Sequence, residues 1–489
     1  MRFTTGSLLL LELATTVLAV PEKAEAVKRA FEISWEGYYN YSFPHDTLHP
    51  VSNGFEDDRN GWGVTVVDAL STAIIMGETG IIHRMLDHIA KIDFTTTARP
   101  DDRISLFETN IRYLGGLISG YDLLKGPMRN LKLDSRKVQT LLKQAESLAD
   151  TLSFAFDTPS GIPDSAVFLN PSKRTSGSNE NSLAEAGTLV LEWTRLSDLT
   201  GNPNPEPWPG LVGNTLSTAD GSFLNSDGGW SGGTDSFYEY LMKMYQYDPE
   251  AYGEYKERWV LAADSTMKHL ASHPTSRKDL TYLSQFSGQT LDPVSTHLAS
   301  FAGGSFILGG VVLNEAKYKK FGLELAESYF NNYRQSPSGI GPEVFSWVDA
   351  TLPRGGGNNN PPQSQRQFYE KSGFYTTAGS YILRPETLES IYYAYRLTGD
   401  DKWQKMAWQA FGSISKACRT GSGYAELRDV MQPDGGGFYD QMQSFWMAET
   451  LKYLYLIFAD ESEVQLQLQG GAKSKFVFNT EAHPLRIRG

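Results

Sequence analysis

The chain has 489 residues, 40% hydrophobic and 21% charged, a globular balance that excludes a disordered protein and allows a large core. A net charge of −13 excludes nucleic acid and anionic membrane surfaces as partners and suits a neutral ligand or a cation. The single cysteine, Cys418, excludes an internal disulfide and a zinc thiolate cluster.

In chain order, Arg2 precedes the apolar run Leu8-Leu9-Leu10-Leu11, which continues to Val17-Leu18-Ala19. Small residues at Val17 and Ala19 predict a signal peptide over 1–19 and a mature secreted chain over 20–489. The sequon Asn40-Tyr41-Ser42 predicts a glycan on Asn40. No later apolar run is long enough for a membrane span, so no membrane is expected for the mature form.

Helical periodicity dominates from there. Val64, Val67, Leu70, Ile74 and Ile75 recur at helical spacing over 61–77, and Phe107, Ile111, Leu114, Leu117 and Ile118 over 104–124. Further helices are predicted over 136–155, 181–199, 235–246, 253–271, 293–313, 315–333, 385–397, 400–417 and 440–458. Long Gly/Pro/Asn-rich connections fall at 201–205 and 351–366. The one clear strand signal is the tail, where Lys475-Phe476-Val477-Phe478 opens a short hairpin. Without a dividing linker, this pattern predicts one large all-α domain closing on itself as a toroid of paired helices.

Six motifs place acids among apolar or aromatic neighbours: Phe107-Glu108-Thr109, Asp235-Ser236-Phe237-Tyr238-Glu239, Gly341-Pro342-Glu343, Arg384-Pro385-Glu386 through Glu389, Phe445-Trp446-Met447-Ala448-Glu449, and Asn479-Thr480-Glu481. A carboxylate in apolar surroundings is costly unless paired, metal-bound or protonated, so six such sites predict a shared acidic pocket. Local explanations exist for single members. Arg112 is i+4 from Glu108, Lys452 is i+3 from Glu449, and Asp235 and Glu386 stand in first turns that favour an acid. None of these explains Glu239, which is i+4 from another acid. Two carboxylates across a sugar bond are the equipment of glycoside hydrolysis.

Together the motifs resemble the class I α-1,2-mannosidases, glycoside hydrolase family 47, and most resemble its secreted fungal members. Gly61-Trp62-Gly63 through Asp68-Ala69-Leu70, and Gly187-Thr188-Leu189-Val190-Leu191-Glu192, add to the likeness, which spans about residues 25–486. The resemblance implies an (α/α)7 barrel plugged by the short C-terminal hairpin. It implies calcium bound by Thr480 through hydroxyl and carbonyl, and inverting removal of terminal α-1,2-linked mannose from high-mannose N-glycans by a monomer. By resemblance Glu386 is the base and Glu108 the acid, with Asp235 its rival and Glu343 a further catalytic carboxylate. Asp68, Arg112, Glu239, His297, Arg384, Glu389, Phe445, Glu449 and Glu481 match sugar-binding positions. The alternative is a non-catalytic mannose-binding lectin of the same fold. Two departures stand out. Ser300 and Tyr329 occupy the family's disulfide positions, and Ser71 stands where a second acid follows Asp68.

Overall fold

In a computed structural model the described residues are 20–188, 206–349, 360–470 and 473–488. The expected signal peptide, the 189–199 part of one expected helix, and the connections at 201–205 and 351–359 lie outside them.

Seven helical members among the described residues form an inner ring. The first is Val64–Asp68 with Leu70–Met76. The second runs from Leu106–Glu108 through a π-helical stretch, Thr109–Leu114, into Gly115–Lys125. Leu183–Gly187, Asp235–Tyr247, Ala302–Val312 and Glu386–Thr398 follow. The seventh is Trp446–Thr450, again π-helical, continuing as Leu451–Phe458. Each touches the next, and the seventh touches the first, so the ring closes. Outside it, Val20–Tyr41 packs on the seventh, Thr79–Ile89 on the first and Ser135–Leu152 on the second. Gly253–Ser265 packs on the fourth, Ala316–Gln335 on the fifth and Asp401–Ala417 on the sixth. The architecture is the expected (α/α)7 barrel.

Hydrophobic pattern explains the two layers. Ser135–Leu152 buries Val138, Leu141, Ala145, Leu148 and Leu152 along one stripe, and the Asp134 side chain caps its start by accepting from the Arg136 N–H at 2.9 Å. Ala302–Val312 is apolar all round because it is covered on every side. There a Cβ on Gly309 would lie 2.2 Å from the Trp259 ring, so only glycine lets the outer helix seat that closely. The helix Val20–Tyr41 has no counterpart among the predicted helices, although Val27, Phe31, Trp35 and Tyr38 bury a helical stripe.

Two predicted helices begin later than expected. Residues 293–297 include the strand Val294–Thr296, and in the predicted 440–458 helix Met442 instead bridges Leu48 before Trp446–Thr450 begins. Strands of two to four residues recur in the connections, for example Val294–Thr296 against Val344–Ser346 against Tyr375–Ala378. The expected tail hairpin forms between Phe476–Phe478 and Pro484–Arg486. Its turn enters the ring. Asn479 Nδ2 donates to the Ile111 carbonyl at 3.1 Å, Lys452 Nζ to the Ala482 carbonyl at 2.7 Å, and the Ser119 hydroxyl to the Pro484 carbonyl at 2.8 Å. No described helix is long and apolar enough to cross a membrane.

Candidate active site

The starts of the inner helices converge on a cavity of about 310 Å³. Eleven of the fourteen pocket residues expected from sequence line it: Glu108, Arg112, Asp235, Glu239, Arg384, Glu386, Glu389, Phe445, Glu449, Thr480 and Glu481. Asp68, His297 and Glu343 stand behind the lining. Asp68 and His297 are buried against other side chains.

Arg112 organises one side. Its Nε donates to Glu108 at 2.7 Å, and its Nη1 reaches Asp68 at 3.4 Å, Ser444 at 3.2 Å and Glu481. Burial alone would push the Glu108 carboxyl up, but Arg112 and Arg59 more than offset it, and Glu108 is held below the usual carboxylate range. Beneath, His483 Nε2 pairs with Asp68 at 3.1 Å, and its Nδ1 meets the Ser71 hydroxyl at 2.9 Å. Burial brings His483 down to about 4. A serine at 71 thus adds a hydrogen bond to the floor, where an acid would add a charge.

Arg384 organises the other side. Its Nε donates to Glu343 at 2.6 Å, and its Nη1 lies 3.5 Å from Glu386. His297 Nδ1 lies 2.8 Å from the second Glu386 oxygen. Burial pushes Glu386 up, yet Arg384 and His297 prevail, and its carboxyl is lowered. Leu383, just before, adopts φ 69°, a conformation rare outside glycine, and the Thr450 hydroxyl holds its carbonyl at 2.7 Å.

Asp235 differs from both. Burial, reinforced by the Glu239 and Glu386 charges, lifts it to about 7 against the Ser236 N–H bond. Burial likewise lifts Glu389 to about 8, with Lys243 at 3.7 Å opposing, and drives Glu449 and Glu481 well above the ordinary value. The Glu449–Lys452 ion pair that would explain Glu449 locally is absent among the described residues. The Lys452 ammonium turns to the Ala482 carbonyl, and burial lowers it to about 7.

The structure adds residues beyond those read from sequence. Glu185 lines the cavity from the start of Leu183–Gly187, and burial raises it. Its apolar setting, Leu183-Ala184-Glu185, is the same signal the other acids carry. Lys243, i+4 from Glu239, pairs with it in the interior. Glu426 lies near Glu343 and Arg384, accepts from Gln443 at 2.8 Å, and is lifted by burial to about 7.

Carboxyl groups outnumber cations in the lining: Glu108, Glu185, Asp235, Glu239, Glu386, Glu389, Glu449 and Glu481 stand with Arg112 and Arg384, and Lys243 and Arg59 reach them from behind. Thr480 presents its side chain to the same cavity, and among the described residues no hydrogen bond ends on its hydroxyl or carbonyl oxygen. Two unpartnered hard oxygens in a cavity rich in carboxyl groups fit a hard divalent cation. No three His, Cys, Asp or Glu side chains among the described residues could hold a metal directly, so water would fill its remaining positions.

This arrangement has close relatives. The profile of glycosyl hydrolase family 47 matches residues 30–487. The mannosyl-oligosaccharide alpha-1,2-mannosidase 1B of Aspergillus oryzae is 51% identical over 484 residues, 95% of this chain and 92% of that protein. The probable mannosyl-oligosaccharide alpha-1,2-mannosidase 1B of Aspergillus niger is 50% identical over 488 residues, 95% of this chain and 91% of that one. The solved alpha-1,2-mannosidase from Trichoderma reesei superposes with a TM-score of 0.91 at 57% identity, covering 96% of this chain and 99% of its own. With fold and sequence shared over nearly its whole length, the chain belongs to glycosyl hydrolase family 47.

Proposed function

We propose that this chain is a mannosyl-oligosaccharide α-1,2-mannosidase that removes terminal α-1,2-linked mannose from high-mannose N-glycans with inversion and with calcium as cofactor. The observation that carries the reading is the pairing, in one cavity, of a carboxylate held ionised, Glu386, with one that keeps its proton to about 7, Asp235. Inversion requires that division: a base to take a proton from the attacking water and an acid to protonate the leaving oxygen. Glu386 is the base. Asp235 is the acid, and Glu108, kept charged by Arg112 and Arg59, serves orientation rather than proton donation. Thr480 would hold calcium through its hydroxyl and carbonyl. Bound there, the ion supplies positive charge that orients sugar hydroxyls and water and offsets the crowded carboxylates. The full set of acids favours an enzyme over a mannose-binding lectin. The same proposal includes a secreted monomer glycosylated at Asn40, which is exposed at the end of Val20–Tyr41.

The test is incubation with a high-mannose glycan and mass spectrometry of the product. Stepwise loss of mannose is expected, stopped by a chelator and restored by calcium; an unchanged mannose count in calcium overturns the reading. Glu386→Gln is expected to keep glycan binding while turnover falls about 10²–10⁴-fold. Near-normal turnover would remove Glu386 as the base.

A further inference from the structure

The outer layer reaches toward the site through Tyr333. Tyr333 lies near the end of Ala316–Gln335, 1% exposed, with its hydroxyl 2.8 Å from His297 Nε2. The other ring nitrogen of His297 is the one that meets Glu386 at 2.8 Å. An ionised carboxylate only accepts, so Nδ1 donates to Glu386. In the neutral ring Nε2 is then the acceptor, and the Tyr333 hydroxyl donates to it.

The surroundings are shaped to this contact. A Cβ on Gly341 would lie 2.9 Å from the Tyr333 ring, so the Gly341-Pro342-Glu343 motif passes against that ring with no room to spare. The same motif supplies Glu343, whose carboxylate holds Arg384 and whose carbonyl accepts from the His297 N–H at 2.9 Å. Phe330 stacks on Tyr333 at 5.7 Å. The Tyr381 ring lies 5.8 Å from His297, and its hydroxyl donates to the Arg384 carbonyl at 3.2 Å.

We propose that Tyr333 is a positioning residue for the reaction: from the outer helix layer it fixes the tautomer and tilt of His297, and through it the orientation of Glu386. The inference rests on Glu386 serving as base. A hydroxyl that only satisfied a buried imidazole would matter to folding alone, whereas this one acts on turnover.

The experiment is a double-mutant cycle on purified full-length protein with calcium and a high-mannose glycan. Tyr333→Phe keeps the ring and removes the hydroxyl; kcat is expected to fall about tenfold with KM within about twofold. In a His297→Ala background the same change is expected to alter kcat less than about twofold, because its route to Glu386 is gone. The inference is overturned by a kcat within twofold of wild type, by a loss confined to KM, or by an equal loss repeated in the His297→Ala background. Should Tyr333→Phe fail to fold, Gly341→Ala, which displaces the Tyr333 ring, enters the same cycle with the same outcomes. A wild-type protein that releases no mannose would instead sink the proposed activity, and so separates the two failures.

Discussion

Two guanidinium groups sort the acids of the cavity into charge states. Arg112 holds Glu108 ionised and Arg384 holds Glu386 ionised, while Asp235, which accepts from the Ser236 N–H, stays protonated to about 7. The sign of the pH effect follows. A raised carboxyl carries its proton below its pKa and loses it above. If Asp235 donates to the leaving oxygen, kcat is present below about 7 and declines as pH rises through it. Profiles of kcat between pH 4 and 9 should show Glu108→Gln retaining that alkaline limb and Asp235→Asn losing it; a limb that survives Asp235→Asn excludes Asp235 as donor. The acids themselves were legible in sequence because their neighbours are apolar. Their roles were not. The resemblance favours Glu108 as acid, but Arg112 at i+4 and, less strongly, Arg59, whose Nε comes within 4.0 Å of it from another loop, keep Glu108 charged. A distant pairing of that kind leaves no local pattern.

At the scale of elements, hydrogen bonds stand at Ser300 and Tyr329, the positions where the resemblance implies a disulfide. The Tyr329 hydroxyl meets the Ser295 hydroxyl at 2.7 Å and accepts from the Leu283 N–H at 3.3 Å. Ser300 bonds to the His297 carbonyl at 2.5 Å and accepts from Thr387 at 2.9 Å. Together they tie the strand and turn that carry His297 to the outer helix and to the Glu386 helix. Tyr329→Phe is expected to cost about 1 kcal/mol of stability. Thermal melts with and without reductant should coincide, since one buried cysteine leaves nothing to reduce; a melt unchanged by Tyr329→Phe would deny that bond its share. Most helices longer than about ten residues were readable because 3.6-residue periodicity accumulates over several turns, although Val20–Tyr41 and Thr79–Ile89 went unread. Strands such as Val294–Thr296 were not, since three residues are too few to display alternation. The π-helical stretches at Thr109–Leu114 and Trp446–Thr450 were equally silent, yet they carry Arg112 and Glu449, and extra residues in a helix commonly mark functional turns.

At the scale of the whole molecule, the ring depends on a segment that belongs to none of its helices. The hairpin turn supplies Glu481 to Arg112, the Asn479 carbonyl to Lys243 at 3.5 Å and the Ala482 carbonyl to Lys452, all three cations being buried. Removing one partner of a buried charge costs about 3–5 kcal/mol. A chain stopped before Phe476 is therefore expected to be poorly soluble and to lack a cooperative melt. Recovery of a soluble ring with a wild-type melting temperature would show that the hairpin is an accessory. The closed ring was foreseeable from helix count and the lack of a linker. The depth of the hairpin was not, because a strand-turn-strand signal says nothing about where its tip is buried.

The same hairpin sets a timetable for biosynthesis. Residues 479–484 are translated after every helix of the ring, and Thr480 and Glu481 form part of the cavity lining. A nascent chain that has already folded most of its helices still lacks the underside of its cavity. Mannose trimming is expected to await synthesis of the tail, and a stop before Thr480 is expected to leave a product without activity.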